Sequence, residues 1–155
     1  MSNDVGPVYR ERLWPAPWVF IATALVIPAS LLVFLPISTI AGIACAIVLY
    51  GAIVVTLLLT TPKVEVTADS FLAGRAHLPL AAVAEAEAFE GAAATAQRGT
   101  GLDARAWLLL RGWIPGLVRV RLDDPSDPTP YWLVSTRQPR KLVAALSATK
   151  ASAKN

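Results

Sequence analysis

The stretch PWVFIATALVIPASLLVFLPISTIAGIACAIVLYGAIVVTLLLTT, residues 17–61, decides the architecture of this chain because it contains no charged side chain. The charge-free run is longer still and covers residues 13–62. A helix rises about 1.5 Å per residue and must cross about 30 Å of hydrocarbon, so about 20 apolar residues form one membrane span. The run therefore predicts a transmembrane hairpin with spans at about residues 17–35 and 39–61, separated by a break at residues 36–38.

The composition of the whole chain agrees with a membrane protein. Of its 155 residues, 55% are hydrophobic and only 16% are charged, whereas about a quarter of a soluble domain is usually charged. The single Cys and the single His exclude a disulfide framework and a zinc site built from such side chains. We therefore expect no metal ion and no cofactor.

Three features inside the hairpin predict local structure. Pro28 cannot donate a hydrogen bond to the carbonyl of Ala24, which predicts a bend in the first span. Tyr50 is the one hydroxyl-bearing aromatic deep in a span, and we expect it to bond a carbonyl within the hairpin. Small residues recur in the second span with a spacing that allows close helix contact, either within the hairpin or between two copies: Ala41, Gly42, Cys45 and Ala46.

The orientation of the hairpin follows from the basic residues next to the spans. Arg10 and Arg12 precede the first span, Lys63 and Arg75 follow the second, and the connecting loop has none. Because basic residues are retained on the cytoplasmic side, both termini are predicted to be cytoplasmic in a multi-pass plasma-membrane protein. A cleaved signal peptide does not fit, because the apolar stretch continues far past any cleavage site.

The composition changes after residue 62, where twelve of the fourteen basic and nine of the eleven acidic side chains are found. Alternation of apolar and polar residues predicts a β-hairpin at residues 64–76 and strands at 107–110, 117–122 and 131–134. Residues 82–90 combine helix-forming Ala and Glu with alternation at strand spacing, and we predict a strand. Residues 91–103 are rich in Gly, Ala and Thr and predict an exposed loop.

A C-terminal amphipathic helix completes the prediction. Ser135 or Thr136 can cap this helix, and Pro139 is acceptable only in its first turn. One side of the helix carries Leu142, Ala145, Leu146 and Thr149. Strands followed by one helix predict a small α+β domain, an antiparallel bent sheet or partial barrel capped by the helix, in a pleckstrin-homology-like arrangement.

The predicted domain organisation has four parts. They are a cytoplasmic N-terminal arm at residues 1–16, the hairpin at 17–61, the strand-rich cytoplasmic domain at 62–149, and a disordered tail at 150–155.

Two segments carry a resemblance to a known family. YRERLWP at residues 9–15 and DPSDPTPYWLVSTRQP at residues 124–139, together with the two spans, resemble a family of small actinobacterial membrane proteins with a domain of unknown function. The resemblance implies a two-span membrane protein whose cytosolic domain is similar to pleckstrin-homology domains. It implies no catalytic or ligand-binding residues.

Side chains able to support catalysis are few. His77 is the only histidine and is predicted to be an edge or turn residue, so no catalytic triad can form. Glu85, Glu87 and Glu90 could offer paired carboxylates, although three acids along a strand are more typical of a solvated face. Neither GxxxxGK nor GxGxxG occurs. We therefore expect no enzymatic activity.

Charge is concentrated at the C-terminal end of the chain. Residues 63–135 hold seven basic and nine acidic side chains, whereas residues 136–155 hold five basic and no acidic ones. Arg137, Arg140 and Lys141 lie in the first turns of the predicted helix, where the helix dipole disfavours cations by about 0.3 to 1 kcal/mol each. They are therefore the candidate contact for anionic lipid headgroups or a protein partner; the alternative is an ordinary solvated helix face. No aromatic residues are interleaved with them, so a nucleic-acid partner is not expected.

These patterns predict a membrane-anchored, non-enzymatic adaptor or regulator that presents its domain at the inner leaflet to a protein partner or anionic lipid. The alternative is a structural subunit or assembly factor of a larger membrane complex, bound through the hairpin. In that case Gly42 and Ala46 would pack against partner helices. The sequence predicts no oligomeric state.

Overall fold

Residues 14–61 form one of two units into which the described chain divides, and the other unit combines residues 6–13 with residues 62–153. The structure, a computed structural model, describes residues 6–153. The first five residues of the predicted arm and residues 154–155 of the predicted tail lie outside this range.

Three helices make up the apolar unit: α1 (Pro17–Thr23), α2 (Val26–Phe34) and α3 (Thr39–Leu59). Two helical segments, Pro17–Phe34 and Thr39–Leu59, are long and apolar enough to cross a membrane. Only 11% of each is buried, whereas the core helix of a soluble protein is mostly buried. The Ser38 hydroxyl accepts a hydrogen bond from the backbone N–H of Ala41 at 3.4 Å and caps α3.

The first span is interrupted by a turn at residues 24–25, between α1 and α2 and close to the predicted bend. Pro28 has no N–H to offer the carbonyl of Ala24, but this carbonyl has another donor. It accepts a hydrogen bond from the N–H of Ile27 at 2.9 Å, one residue earlier than the α-helical partner. A tighter local turn therefore replaces the bond that Pro28 cannot make.

Small residues of α3 lie against α2. A Cβ atom added at Gly42 would lie 3.2 Å from the Cβ atom of Phe34, and both Gly42 and Ala46 are buried. The Tyr50 hydroxyl donates to the carbonyl of Phe20 at 3.2 Å, which confirms the predicted bond within the hairpin.

The described residues of the second unit form two four-stranded sheets. The first sheet is fully antiparallel and has the order β1 (Tyr9–Arg12), β2 (Lys63–Val66), β3 (Ser70–Ala73) and β4 (Ala76–Pro79). Strand β1 was not predicted, because residues 9–12 were assigned to an N-terminal arm. Its half-buried positions are Tyr9 and Glu11, so it lacks the apolar alternation by which strands are recognised.

The second sheet has the order β5-β7-β8-β6. Its strands are β5 (Val83–Phe89), β6 (Trp107–Leu109), β7 (Leu117–Leu122) and β8 (Tyr131–Ser135). Strand β5 confirms the choice of strand over helix for this segment. Strands β6 and β8 run parallel, which departs from the predicted antiparallel sheet. Strand β8 lies between β6 and β7 and is antiparallel to β7. Because β6 also runs in the direction opposite to β7, β6 and β8 are parallel.

Two helices pack on this unit: α4 (Gly91–Arg98) and α5 (Pro139–Ser152). The prediction of a loop for residues 91–103 is wrong over α4. The helix buries only Ala94, so it has no apolar stripe to reveal it. In α5, Pro139 occupies the first turn as expected, Leu142, Leu146 and Thr149 are buried, and the helix continues past residue 149, where the tail was predicted to begin.

Both sheets and α5 contribute to the main hydrophobic core. The Trp107 and Trp132 rings stack with centroids 4.4 Å apart, and Phe71 lies 6.1 Å from Trp132. A second cluster of Ala94, Leu117 and Leu133 lies where α4 covers the other side of the sheet. The unit is therefore a small α+β domain with apolar side chains buried on both sides of its second sheet.

Candidate functional site

The three cations predicted as a contact surface are all exposed around the start of α5. Arg140 donates to Glu90 at 3.2 Å, and this pair of exposed side chains contributes little to stability. Lys141 forms no hydrogen bond or ion pair with any residue from 6 to 153. The backbone N–H of Arg137 donates to Glu11 Oε1 at 2.9 Å. We call Arg137, Arg140 and Lys141 the α5 cations.

Next to the α5 cations lies a set of hydrogen bonds centred on Glu11. Its Oε2 atom accepts from the Tyr9 hydroxyl at 2.7 Å and from the Thr136 hydroxyl at 2.5 Å. The Thr136 hydroxyl in turn accepts from the backbone N–H of Gln138 at 3.1 Å. These bonds, with that from Arg137, form the Glu11 network, which ties β1 to the segment that begins α5.

Burial raises the pKa of Tyr9 well above its ordinary value. The Thr136 hydrogen bond acts in the opposite direction, and the bond to the Glu11 carboxylate and its charge raise the pKa further. Tyr9 is therefore a neutral hydrogen-bond donor at physiological pH.

Sequence reasoning did not find the Glu11 network. Its partners are separated by more than a hundred residues, and strand β1, which positions two of them, was not predicted. One signal was present: the network joins the two segments that carried the family resemblance, residues 9–15 and 124–139.

Gly116 supports the Thr136 side of the network. Its carbonyl accepts from the N–H of Thr136 at 3.1 Å. A Cβ atom at Gly116 would lie 2.5 Å from the Thr136 carbonyl oxygen and 3.2 Å from the Pro139 ring. Only glycine allows the chain to pass this closely.

A second group of cations lies at one end of the first sheet. Arg12 of β1 is directly opposite Lys63 of β2. The N–H of Gly74 donates to the Lys63 carbonyl at 2.7 Å, and Arg75 follows in the same turn. Arg12, Lys63 and Arg75 are exposed, and we call them the sheet-end cations. Strand β1 leads into α1 and α3 leads into β2, so the chain leaves for and returns from the apolar unit at this end.

The glutamates of β5 pair with arginines rather than with each other. Glu87 forms an ion pair with Arg119, and Glu85 lies 3.6 Å from Arg121. The Arg119 guanidinium also lies over the Phe89 ring at 5.1 Å. Each of these two carboxylates thus faces a cation across the β5–β7 strand pair.

His77 lies on β4, an edge strand of the first sheet, and is exposed. Within residues 6–153, no group of three or more His, Cys, Asp or Glu side chains is placed to hold a metal ion.

The apolar unit contains a groove between α2 and α3. It has a volume of about 380 Å³. It is lined by Ile27, Leu31, Ile43, Ala46, Ile47, Tyr50 and Gly51. Gly51 is exposed, and a Cβ atom added there would contact nothing within 4 Å. We call this cavity the α2–α3 groove.

Comparison with protein families finds one match. The sequence profile described as "Protein of unknown function (DUF3093)" matches residues 8–146. The matched region covers the apolar helices, all eight strands named above and most of α5. No curated protein and no solved structure matches the chain.

Proposed function

Because the chain belongs to the DUF3093 family of proteins of unknown function, we propose a function from its architecture: a membrane-anchored, non-enzymatic interaction module. Its two apolar segments cross the plasma membrane, and its strand-rich domain stays at the inner leaflet. There it acts as an adaptor or regulator, with the α5 cations as the surface for a protein partner or anionic lipid.

The pairing of β1 with β2 carries this proposal. Arg12 is opposite Lys63, and the N–H of Leu13 donates to the carbonyl of Pro62 at 3.0 Å. The chain must therefore return to the sheet it left, which requires an even number of membrane crossings. Two helical segments of sufficient length lie between these strands.

The exposed surface of the apolar unit supports membrane insertion. Ile40 is 81% exposed, Leu59 79% and Ile37 77%. Large apolar side chains in such numbers are unfavourable in water, whereas lipid is a suitable solvent for them. The basic residues that flank the spans favour a cytoplasmic location for both termini.

The surface of α5 supports a role in binding. Its apolar side is occupied by the core, because Leu142 and Leu146 are buried there. Arg140 and Lys141 lie on the exposed side, at the end of the helix where the dipole disfavours cations. Helix stability does not account for this placement, whereas contact with an acidic surface does.

Neutralisation of the α5 cations tests the proposal. The variant R137Q/R140Q/K141Q keeps the backbone N–H of Arg137 that Glu11 accepts, so the Glu11 network is preserved. The full-length protein should be crosslinked in native membranes and purified, and its partners quantified. We expect recovery of specific partners to fall several-fold.

Arg105 provides the matched control. It is exposed and pairs only weakly with the nearby Asp103 at 3.2 Å, so R105Q should leave partner recovery unchanged. Equal recovery from wild type, the triple variant and R105Q would show that the α5 cations bind no partner.

The α2–α3 groove favours a second candidate, a structural subunit or assembly factor bound through the hairpin. Gly42 is unsuited to that contact, because it already faces Phe34 inside the hairpin. Gly51 is exposed and lines the groove. A partner helix in the groove would approach Gly51 closely, as small residues allow.

Two substitutions distinguish this candidate from a general defect. G51I adds a large side chain at a position where an added Cβ atom contacts nothing within 4 Å, so loss of a partner at normal protein abundance would support the subunit role. G42I clashes with Phe34 and should lower the abundance of the protein itself. If G51I retains every partner, the groove is not an interface.

A further inference from the structure

We propose that helix α4 is a lid that opens while the rest of the protein stays folded, and that its opening exposes an apolar band of the second sheet. The band faces away from the main hydrophobic core. It includes none of the α5 cations and no residue that lines the α2–α3 groove. Opening of α4 requires neither a membrane nor a partner, so the lid goes beyond the proposed function.

The strand register defines the apolar band. Phe89 is opposite Leu117 in the antiparallel pair of β5 and β7, and Leu108 is beside Leu133 in the parallel pair of β6 and β8. Leu133 is in turn opposite Arg119, which is two residues from Leu117 along β7. Side chains at paired positions, and at positions two residues apart on one strand, project to the same face of a sheet. Phe89, Leu108, Leu117 and Leu133 therefore form a continuous band across all four strands.

Helix α4 covers this band with little apolar surface. Ala94 is its one buried residue and lies in a cluster with Leu117 and Leu133. Leu108, at the β6 end of the band, is 41% exposed. Because the stabilisation from apolar contact scales with the area that is buried, a single methyl group holds the helix only weakly. The closed position of α4 therefore depends on other contacts as well.

Those other contacts include hydrogen bonds made by the last turn of the helix. The Arg98 guanidinium donates to the carbonyl of Ile114 at 2.5 Å and to that of Pro115 at 3.0 Å. The side-chain oxygen of Gln97 accepts from Arg119 at 3.3 Å. Such bonds contribute little net free energy, because water replaces them when the helix moves away. A segment with few buried apolar contacts and polar attachments is typical of the parts of a protein that open locally.

The chain on both sides of α4 has attachments that can persist during opening. Before the helix, β5 is paired with β7 as far as Phe89 and Leu117. After the helix, the backbone N–H of Asp103 donates to the Tyr131 hydroxyl at 2.7 Å. Gly91, at the start of α4, has a φ of 56°, and glycine can change its backbone angles at little steric cost. Opening can therefore be confined to the segment between these attachments, with Gly91 as the hinge.

Labelling of a thiol at position 94 tests the lid. Ala94→Cys is combined with Cys45→Ala in the full-length protein, and the rate of reaction with a maleimide is measured in detergent micelles. We expect the thiol to react through local opening, at a rate that depends only weakly on added urea, because opening exposes little surface. Arg98→Gln should increase this rate about tenfold, since it removes a charged donor from two carbonyls. An unchanged rate in Arg98→Gln would contradict the proposal.

Two control variants separate local opening from global unfolding. Val66→Ala removes buried apolar volume from the main core, so it should raise the unfolded fraction about tenfold and leave the labelling rate unchanged. Arg121→Gln removes an exposed cation of the second sheet whose ion pair is with Glu85, and it should also leave the rate unchanged. If Val66→Ala increases labelling as much as it increases unfolding, the thiol reacts only through global unfolding and α4 is not a lid.

Hydrogen exchange of the wild-type chain gives a second readout that needs no substitution. Exchange is followed by mass spectrometry of the peptides released by digestion. Backbone amides of α4 should exchange faster than those of β7 and β8, because they open without the sheet. Equal protection of the helix and the two strands would show that they open together, which overturns the proposal.

Discussion

Glu11 is a charged residue on the half-buried side of a strand, and its three hydrogen-bond donors explain that position. A carboxylate accepts such bonds more strongly than a neutral group. Removal of the acceptor would leave the Tyr9 hydroxyl, the Thr136 hydroxyl and the N–H of Arg137 without their partner. Single residues at this junction should therefore affect stability more than their partial exposure suggests.

Replacement of Glu11 by Ala is expected to lower the free energy of unfolding by about 2 kcal/mol, because unsatisfied donors remain. Urea unfolding of the detergent-solubilised protein, followed by tryptophan fluorescence, measures this change. Glu65→Ala is the matched control, since within residues 6–153 the ion pair of Glu65 is with the exposed Arg10, and this substitution should cost less than about 1 kcal/mol. Equal effects of the two substitutions would contradict the stabilising role of the network.

The raised pKa of Tyr9 predicts that the stability of the protein decreases in the alkaline pH range. Its folded-state pKa is raised, so below the unfolded pKa of about 10 the residue is protonated in both states. As the pH rises above that value, the Tyr9 hydroxyl loses its proton in the unfolded chain but keeps it in the folded protein. The free energy of unfolding therefore falls until the pH exceeds the pKa of Tyr9 in the folded protein. Free energies of unfolding at about pH 9 and about pH 11 should differ less in Tyr9→Phe than in wild type. An identical difference would contradict the raised pKa.

The close approach of Thr136 to Gly116 predicts that a side chain at position 116 destabilises the protein. Gly116→Ala places a Cβ atom 2.5 Å from the Thr136 carbonyl oxygen, so the backbone must shift, at an expected cost of about 2 to 3 kcal/mol. Gly112→Ala is the control in the same loop, because nothing lies within 4 Å of the added atom. We expect the melting temperature to fall by several degrees for Gly116→Ala only.

The elements divide according to how much of their structure is encoded locally. Strands β7 and β8 were predicted because apolar residues occupy their buried positions in a recognisable pattern. Strand β1 depends on Thr136, more than a hundred residues away, to satisfy Glu11, and no local pattern reports such a partner. The α5 cations were identifiable from charge alone, but the sheet-end cations became a group only when the register was known.

The packing of α4 on the second sheet can be tested at its one buried residue, Ala94. Ala94 is 1% exposed and lies in the cluster with Leu117 and Leu133. Ala94→Leu should therefore overpack this cluster and destabilise the protein by about 1 to 3 kcal/mol. Ala93→Leu, at an exposed position of the same helix, should change stability by less than about 0.5 kcal/mol. The two unfolding curves would coincide if α4 were not packed on the sheet.

The proposed architecture of the whole molecule predicts two membrane crossings with both termini in the cytoplasm. In a Cys45→Ala background, single cysteines at Val8, Ile37 and Ser147, all exposed positions, report the side on which each segment lies. A membrane-impermeant maleimide should label the cysteine at Ile37 in intact cells and the other two only after permeabilisation. Different labelling of positions 8 and 147 would be incompatible with the pairing of β1 and β2.

The strand that begins the first sheet is translated before the hairpin, and the strand it pairs with is translated afterwards. Residues 14–61 separate them, so at about 5 to 20 residues per second β1 waits several seconds for its neighbour. During that interval β1 has no strand to pair with while the apolar helices are synthesised. Biogenesis therefore imposes an order: the first sheet cannot form until both helical segments and β2 have left the ribosome.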